Sequence, residues 1–151
     1  MELEKDYFFQ RKYIENIEQL ADLDGSVLIV SEYQGNDDVA MFFKEKGFEV
    51  TNISNQDFMS LEKGSYNVVV VENLFNKVKT DKMPEYLSKA ASIMEDGGLL
   101  VTFFFSEKDC EKEDAEFVNN RDVETMFDEL FKIQHIRTMM DGTRKVVAEK
   151  K

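Results

Sequence analysis

Cysteine, histidine and proline are almost missing: the 151 residues hold one cysteine (Cys110), one histidine (His135) and one proline (Pro84). A lone cysteine excludes an internal disulfide framework and suits a reducing compartment, so a cytoplasmic location is expected. One cysteine with one histidine also argues against a zinc site, and no other metal set is expected. No apolar run reaches the ~20 residues that span a bilayer. The opening stretch MELEKDYFFQRK is charged and amphipathic, unlike a secretory signal. Bases are scarce too. With 19 Lys and Arg against 31 Asp and Glu the net charge is −12, and no Lys/Arg cluster offsets it. Such a surface repels phosphate backbones and argues against nucleic-acid binding. The acidity either serves solubility or offers a face to a basic protein partner.

What is present is the balance of a soluble globular protein, 42% hydrophobic and 33% charged. A single domain over 1–151 is expected. Residues 1–24 read as an N-terminal helix, with Phe9, Tyr13, Ile17 and Leu20 at helical spacing, Ile14 and Ala21 beside them, and Asp24-Gly25 as the stop. Residues 25–105 alternate strands and helices. SVLIVS is a short continuous apolar run, the mark of a strand buried on both faces. Asn36 is placed to cap a helix whose inner face is Val39, Phe42 and Phe43, closed by Gly47. FEVTNIS is a second strand, NQDFMSLEKGS has room for about one helical turn, and YNVVVVEN is a third strand. Pro84 opens a helix with Leu87, Ala90, Ala91 and Met94 on one face; Gly97-Gly98 stops it before the strand LLVTFFFS. Residues 106–119 are charged and aperiodic and read as an acidic surface loop. In 120–151, Asn120 caps a helix with Val123, Met126, Phe127 and Leu130 inward, and two strand-like runs flank Asp141-Gly142 as a hairpin. The fold class that follows is α/β: a Rossmann-like three-layer αβα sandwich with a mostly parallel sheet of about six strands and a C-terminal antiparallel hairpin.

That order resembles the class I S-adenosylmethionine-dependent methyltransferases. GSYNVVVVENLFNKV is similar to the family's fourth-strand segment, and PEYLSKAASIMEDGGLLVTF to its following helix and fifth strand. VLIVSEYQGND stands where the first motif would be. The likeness spans roughly residues 10 to 149, and three degenerate motifs in the correct order carry it.

The resemblance implies S-adenosylmethionine as cofactor and assigns its contacts residue by residue. In the first motif, G-x-G-x-G in the family, Ser31 and Tyr33 replace the first two glycines, Glu32 lies between them and Gly35 remains. A tyrosine where the family has no side chain either points away or fills the pocket. Ser54 occupies the place of the acid that grips the ribose hydroxyls, with Asp57 as a substitute from the next turn. Glu72 and Asn73 follow the valine strand at its carboxyl end, the edge where open α/β sheets hold ligands. About a dozen residues join FEVTNIS to YNVVVV, so one helix–strand unit of the family is missing, and FEVTNIS aligns with either its second or its third strand.

Asp37 and Asp38 sit where a dinucleotide's pyrophosphate would bind and would repel it, whereas S-adenosylmethionine carries no phosphate. They serve equally as stabilising acids of a helix start. No Asn/Asp-Pro-Pro-Tyr sequence is present, which disfavours amino-group acceptors on nucleobases or glutamine. His135 reads as structural, Phe103, Phe104 and Phe105 as core, and Cys110 as unreactive in its acidic loop. A phosphoacceptor receiver domain is a distant alternative, with Glu72 in place of the phosphorylated aspartate; a long first helix and a terminal hairpin count against it. Two functions remain within the preferred fold: an active methyltransferase on a small molecule or a protein, and a non-catalytic binding or regulatory module. The lost glycines, ribose acid and helix–strand unit favour the second.

Overall fold

The computed structural model describes residues 14, 17–31, 37–62, 64–112, 114–139 and 142–151, with Asp37 described by its backbone alone. The expected contributions of Phe9, Tyr13 and Asn36 lie outside these residues, as does Asp141.

Strands form where β-branched and aromatic residues run together. They are β1 (Ser26–Val30), β2 (Glu49–Ile53), β3 (Tyr66–Val71), β4 (Met94–Phe104), β5 (Phe131–Thr138) and β6 (Arg144–Lys150). They make one sheet in the order β2-β1-β3-β4-β6-β5. The pairs β1–β2, β1–β3 and β3–β4 are parallel, and β6 runs antiparallel between β4 and β5. Period-2 alternation sends Leu28, Val30, Val69 and Val71 to one face and Val27, Ile29, Val68 and Val70 to the other. Both faces are buried, which is why SVLIV and VVVV show no polar alternation.

Helices cover the two faces. α1 (Asp37–Glu45) packs Val39 and Phe43 on the second face, beside Ile14, Ile17 and Leu20. α2 (Asn55–Phe58), α3 (Met83–Ser92) and α5 (Asn120–Phe127) cover the first with Phe58, Leu87, Val123 and Phe127. The result is the expected three-layer sandwich. Of the expected N-terminal helix, Ile14 is helical and the stretch Glu18–Asp22 is a 3-10 turn.

Three local readings change, and one left open is decided. The helix opened by Pro84 ends at Ser92, and β4 already begins at Met94, so Gly97 and Gly98 lie within the strand. They mark a register shift against β3 between Tyr66 and Val68, with Gly97 at φ +79. The stretch read as an acidic loop contains α4 (Glu107–Lys112), whose one buried residue is Cys110. A helix with a single inward residue leaves no periodic signature. The last helix is capped by Asn119, whose side chain accepts from the Asp122 N–H at 2.8 Å, rather than by Asn120. Finally, β2 pairs with β1 at the sheet edge. That is the second-strand position of a doubly wound order, and among the described residues no strand lies beyond it.

Gly98 tests the bulge. A Cβ there would stand 2.8 Å from the Glu95 carbonyl and 3.0 Å from that of Asn67, both rigid backbone. Gly98→Ala is expected to cost about 1–3 kcal/mol in urea denaturation, the usual range for overpacking. A cost near zero would mean that β3 and β4 can part freely at this point.

Candidate functional site

The chain leaves β1 toward β2 on one side and arrives at β3 on the other. This reversal creates a crevice at the carboxyl ends of β1 and β3, the place where open α/β sheets bind ligands. Ser31 and Glu72 are the first residues past those strands. Backbone bonds fix both: the Ser31 N–H donates to the Ile53 carbonyl at 3.0 Å and the Glu72 N–H to that of Val30 at 3.0 Å. The Ser31 hydroxyl then reaches across and donates to Glu72 Oε2 at 2.9 Å. Both side chains are buried, Glu72 to 3% exposure. Burial penalises a carboxylate's charge and pushes Glu72 up from 4.5 to about 7, with the Ser31 hydroxyl pulling the other way.

The second oxygen, Glu72 Oε1, is buried with no donor among the described residues. Two amide oxygens of residues bonded to Asn73, the next residue along, share that condition. Asn55, the first residue of α2, donates Nδ2 to the Asn73 carbonyl at 2.8 Å. A carbonyl only accepts, so the amide's orientation is fixed and Asn55 Oδ1 is left without a donor. Asn76, in the 3-10 turn Phe75–Lys77, donates Nδ2 to Asn73 Oδ1 at 2.7 Å, and its own Oδ1 is likewise buried and unmatched. Asn73 thereby ties α2 and the 3-10 turn to the end of β3. Each unmatched buried acceptor costs about 1–3 kcal/mol. The set calls for N–H or O–H donors, from a ligand or from buried water.

On the β2 side, the Ser54 hydroxyl donates to Asp57 Oδ2 at 3.1 Å, and Asp57 is exposed. An acid is therefore present one turn past β2, on α2. Of the candidate residues, Ser31, Ser54, Asp57, Glu72 and Asn73 all follow the carboxyl ends of β1, β2 and β3. Glu32, Tyr33 and Gly35 lie outside the described residues. Asn55 and Asn76 escaped the sequence reading, where they look like ordinary loop residues. Neither carries a local signal: Asn76 stands beside Lys77 in a turn that reads as solvated.

The other singled-out groups lie elsewhere. His135, on β5, lines an open groove of about 680 Å³ with Asn120, Glu124 and Lys132. Burial chiefly, then Lys145 and Arg137, lowers its pKa. Phe103 and Phe104 are core residues, and Phe105 is half-buried. Burial raises the Cys110 thiol, Arg144 opposes, and Asp109 and Glu107 add to the rise.

No helix among the described residues is long and apolar enough to cross a membrane. No protein-family model matches the sequence, and no curated protein matches it significantly. Solved structures do. N-methyltransferase NodS from Bradyrhizobium japonicum WM9, in complex with S-adenosyl-L-homocysteine, superposes with TM-score 0.65 at 9% identity, over 93% of this chain and 85% of that one. Magnesium protoporphyrin IX methyltransferase from Synechocystis PCC 6803, with bound S-adenosylhomocysteine, gives 0.66 at 16% identity, over 99% and 87%. Phosphoethanolamine N-methyltransferase 2 of Haemonchus contortus gives 0.66 at 10%, over 93% of this chain and 37% of that one. The acceptors named for the last two differ, so the likeness carries architecture and no acceptor. The chain has the fold of the class I S-adenosylmethionine-dependent methyltransferases.

Proposed function

We propose that this is a methyltransferase-like domain that takes S-adenosylmethionine or S-adenosylhomocysteine in the crevice between β1 and β3, and that it serves as a binding or regulatory module rather than as an enzyme. The observation that carries the reading is the group of buried acceptors without donors: Asn55 Oδ1, Glu72 Oε1 and Asn76 Oδ1. The ligand offers donors at each of its polar ends, namely the adenine amine, the ribose hydroxyls and the methionine ammonium. Asp57, steadied by Ser54, is the acid available for a ribose diol. Asp37 and Asp38 at the start of α1 would repel a pyrophosphate but not this nucleoside.

The non-catalytic assignment rests on Ser31 and Tyr33 in place of two glycines, and on the Ser31–Glu72 bond, which engages both side chains at the ends of β1 and β3. The charge of −12 suits a basic protein partner for such a module, and the lone cysteine suits the cytoplasm. One observation favours the second reading, an active methyltransferase on a small molecule or a protein. Glu72, with its pKa at about 7, has the value a general base needs near neutral pH.

Calorimetry and thermal unfolding with S-adenosylhomocysteine test the proposal. At 100 times its dissociation constant the ligand should stabilise the fold by about 2.7 kcal/mol. No shift at millimolar concentration of either nucleoside would overturn the cofactor assignment. Transfer of labelled methyl groups to a component of cell extract, lost in Glu72→Gln, would replace the module by the enzyme.

A further inference from the structure

A buried cation without a counter-charge lies elsewhere on the same carboxyl edge. Arg144 opens β6, in register with Phe104 at the end of β4, and is 6% exposed. Its two hydrogen bonds go to neutral acceptors: Nη1 donates to Asn120 Oδ1 at 3.0 Å and Nη2 to the Phe105 carbonyl at 3.1 Å. The Nε–H is buried with no acceptor. Among the described residues no carboxylate stands within ion-pairing distance of it, in a chain of net charge −12. A guanidinium has five N–H donors in a planar fork, and burying it unpaired is costly.

The surroundings say what the missing partner resembles. The guanidinium lies 5.9 Å from the ring centre of Phe104 and 4.9 Å from that of Phe117, so its faces meet aromatic carbon. Phe117 is also among the few large apolar side chains left open to solvent, at 40% exposure. Asn120, the acceptor on Nη1, is the first residue of α5, whose leading N–H groups and dipole also favour an anion. Asp122 in the same turn is exposed, where solvent and salt weaken its repulsion.

We propose that Arg144, Asn120 and Phe117 form a second binding site that takes the carboxylate of a small apolar, aromatic acid. The carboxylate meets the guanidinium at the free Nε–H and the Nη2 beside it, while Asn120 holds Nη1, and the ring of the acid lies against Phe117. A planar two-oxygen anion matches the fork, and an apolar body matches the rings. The site stands whether or not a nucleoside binds between β1 and β3.

The full chain is titrated with sodium benzoate at constant ionic strength, with neutral benzamide and inorganic phosphate as comparisons, following the melting temperature and the Arg144 Nε–H resonance. Benzoate is expected to raise the melting temperature and move that resonance; benzamide should do neither and phosphate should act more weakly. Asn120→Asp supplies a carboxylate in place at a surface helix start, where an acid is tolerated. It is expected to raise the melting temperature without ligand and to weaken benzoate by about tenfold or more, the worth of one charge-assisted hydrogen bond. An Arg144 resonance unmoved by benzoate in the unmutated protein overturns the proposal. So does an Asn120→Asp variant that responds as the parent does. Benzamide equal to benzoate, or phosphate stronger than it, rejects the carboxylate.

Discussion

Glu72→Gln is expected to stabilise the protein by about 3 kcal/mol above roughly pH 8 and to change it little below roughly pH 4. The carboxyl is 3% exposed, and burial raises its pKa from 4.5 to about 7 against the single favourable bond from Ser31. The folded chain therefore holds this proton more tightly than the unfolded chain does. Its contribution is fully present below the unfolded value and disappears as the pH rises through about 7. At 1.36 kcal/mol per pH unit, the gap corresponds to about 3 kcal/mol. Glutamine is isosteric, carries no charge and still accepts from the Ser31 hydroxyl. Urea denaturation across this pH window reads the difference directly. Parallel pH profiles for the two proteins would show that Glu72 ionises freely and that the crevice floor is wet.

A buried ionisable group retained at such a cost supports a functional crevice, whichever function occupies it. The legibility of this crevice was uneven for physical reasons. Four consecutive valines, Val68–Val71, admit only a strand covered on both faces, so β3 and the position of Glu72 at its end were plain from the chain. The Asp-Gly step near 141–142 likewise announced the β5–β6 pair. Registers and polar partners were not legible. Whether Gly97-Gly98 ends a helix or bends a strand depends on the Asn67 carbonyl opposite, which is set by tertiary pairing. Whether β2 is the second or third strand is decided by which neighbour it finds, and its sequence alone does not state that. Asn55 and Asn76 matter because they converge on Asn73 from different segments, a relation between positions 18 and 3 residues away that no local pattern contains. Arg144 was hidden for a similar reason. An arginine beside a turn reads as solvated until α5 and Phe117 close over it.

Phe58→Ala is expected to be among the most damaging single changes outside the sheet, costing about 3–5 kcal/mol. The connection from β2 to β3 is where the fold is abbreviated, and among its described residues the regular element is α2, four residues long. A helix of that length has no stability of its own. What fixes it is Phe58, fully buried, edge-on to Phe75 at 5.8 Å and stacked on Tyr86 at 6.4 Å. Lys89 of α3 adds a bond to the Leu61 carbonyl at 2.6 Å. Removing the ring leaves a cavity beneath the segment that carries Asn55 and Asp57, so the polar edge of the crevice should loosen together with the core. Phe58→Leu, which keeps most of the volume, should cost less than about 1.5 kcal/mol. Met59→Ala, at a side chain 37% exposed, should stay within about 0.5 kcal/mol. Against a total stability of about 5–15 kcal/mol, only the first threatens the fold. If S-adenosylhomocysteine stabilises the parent, Phe58→Leu should keep most of that response and Phe58→Ala should lose it. A Phe58→Ala variant costing under about 1 kcal/mol would mean that the ring does not anchor the shortened connection, and that the chain tolerates the loss of a helix–strand unit by some other packing.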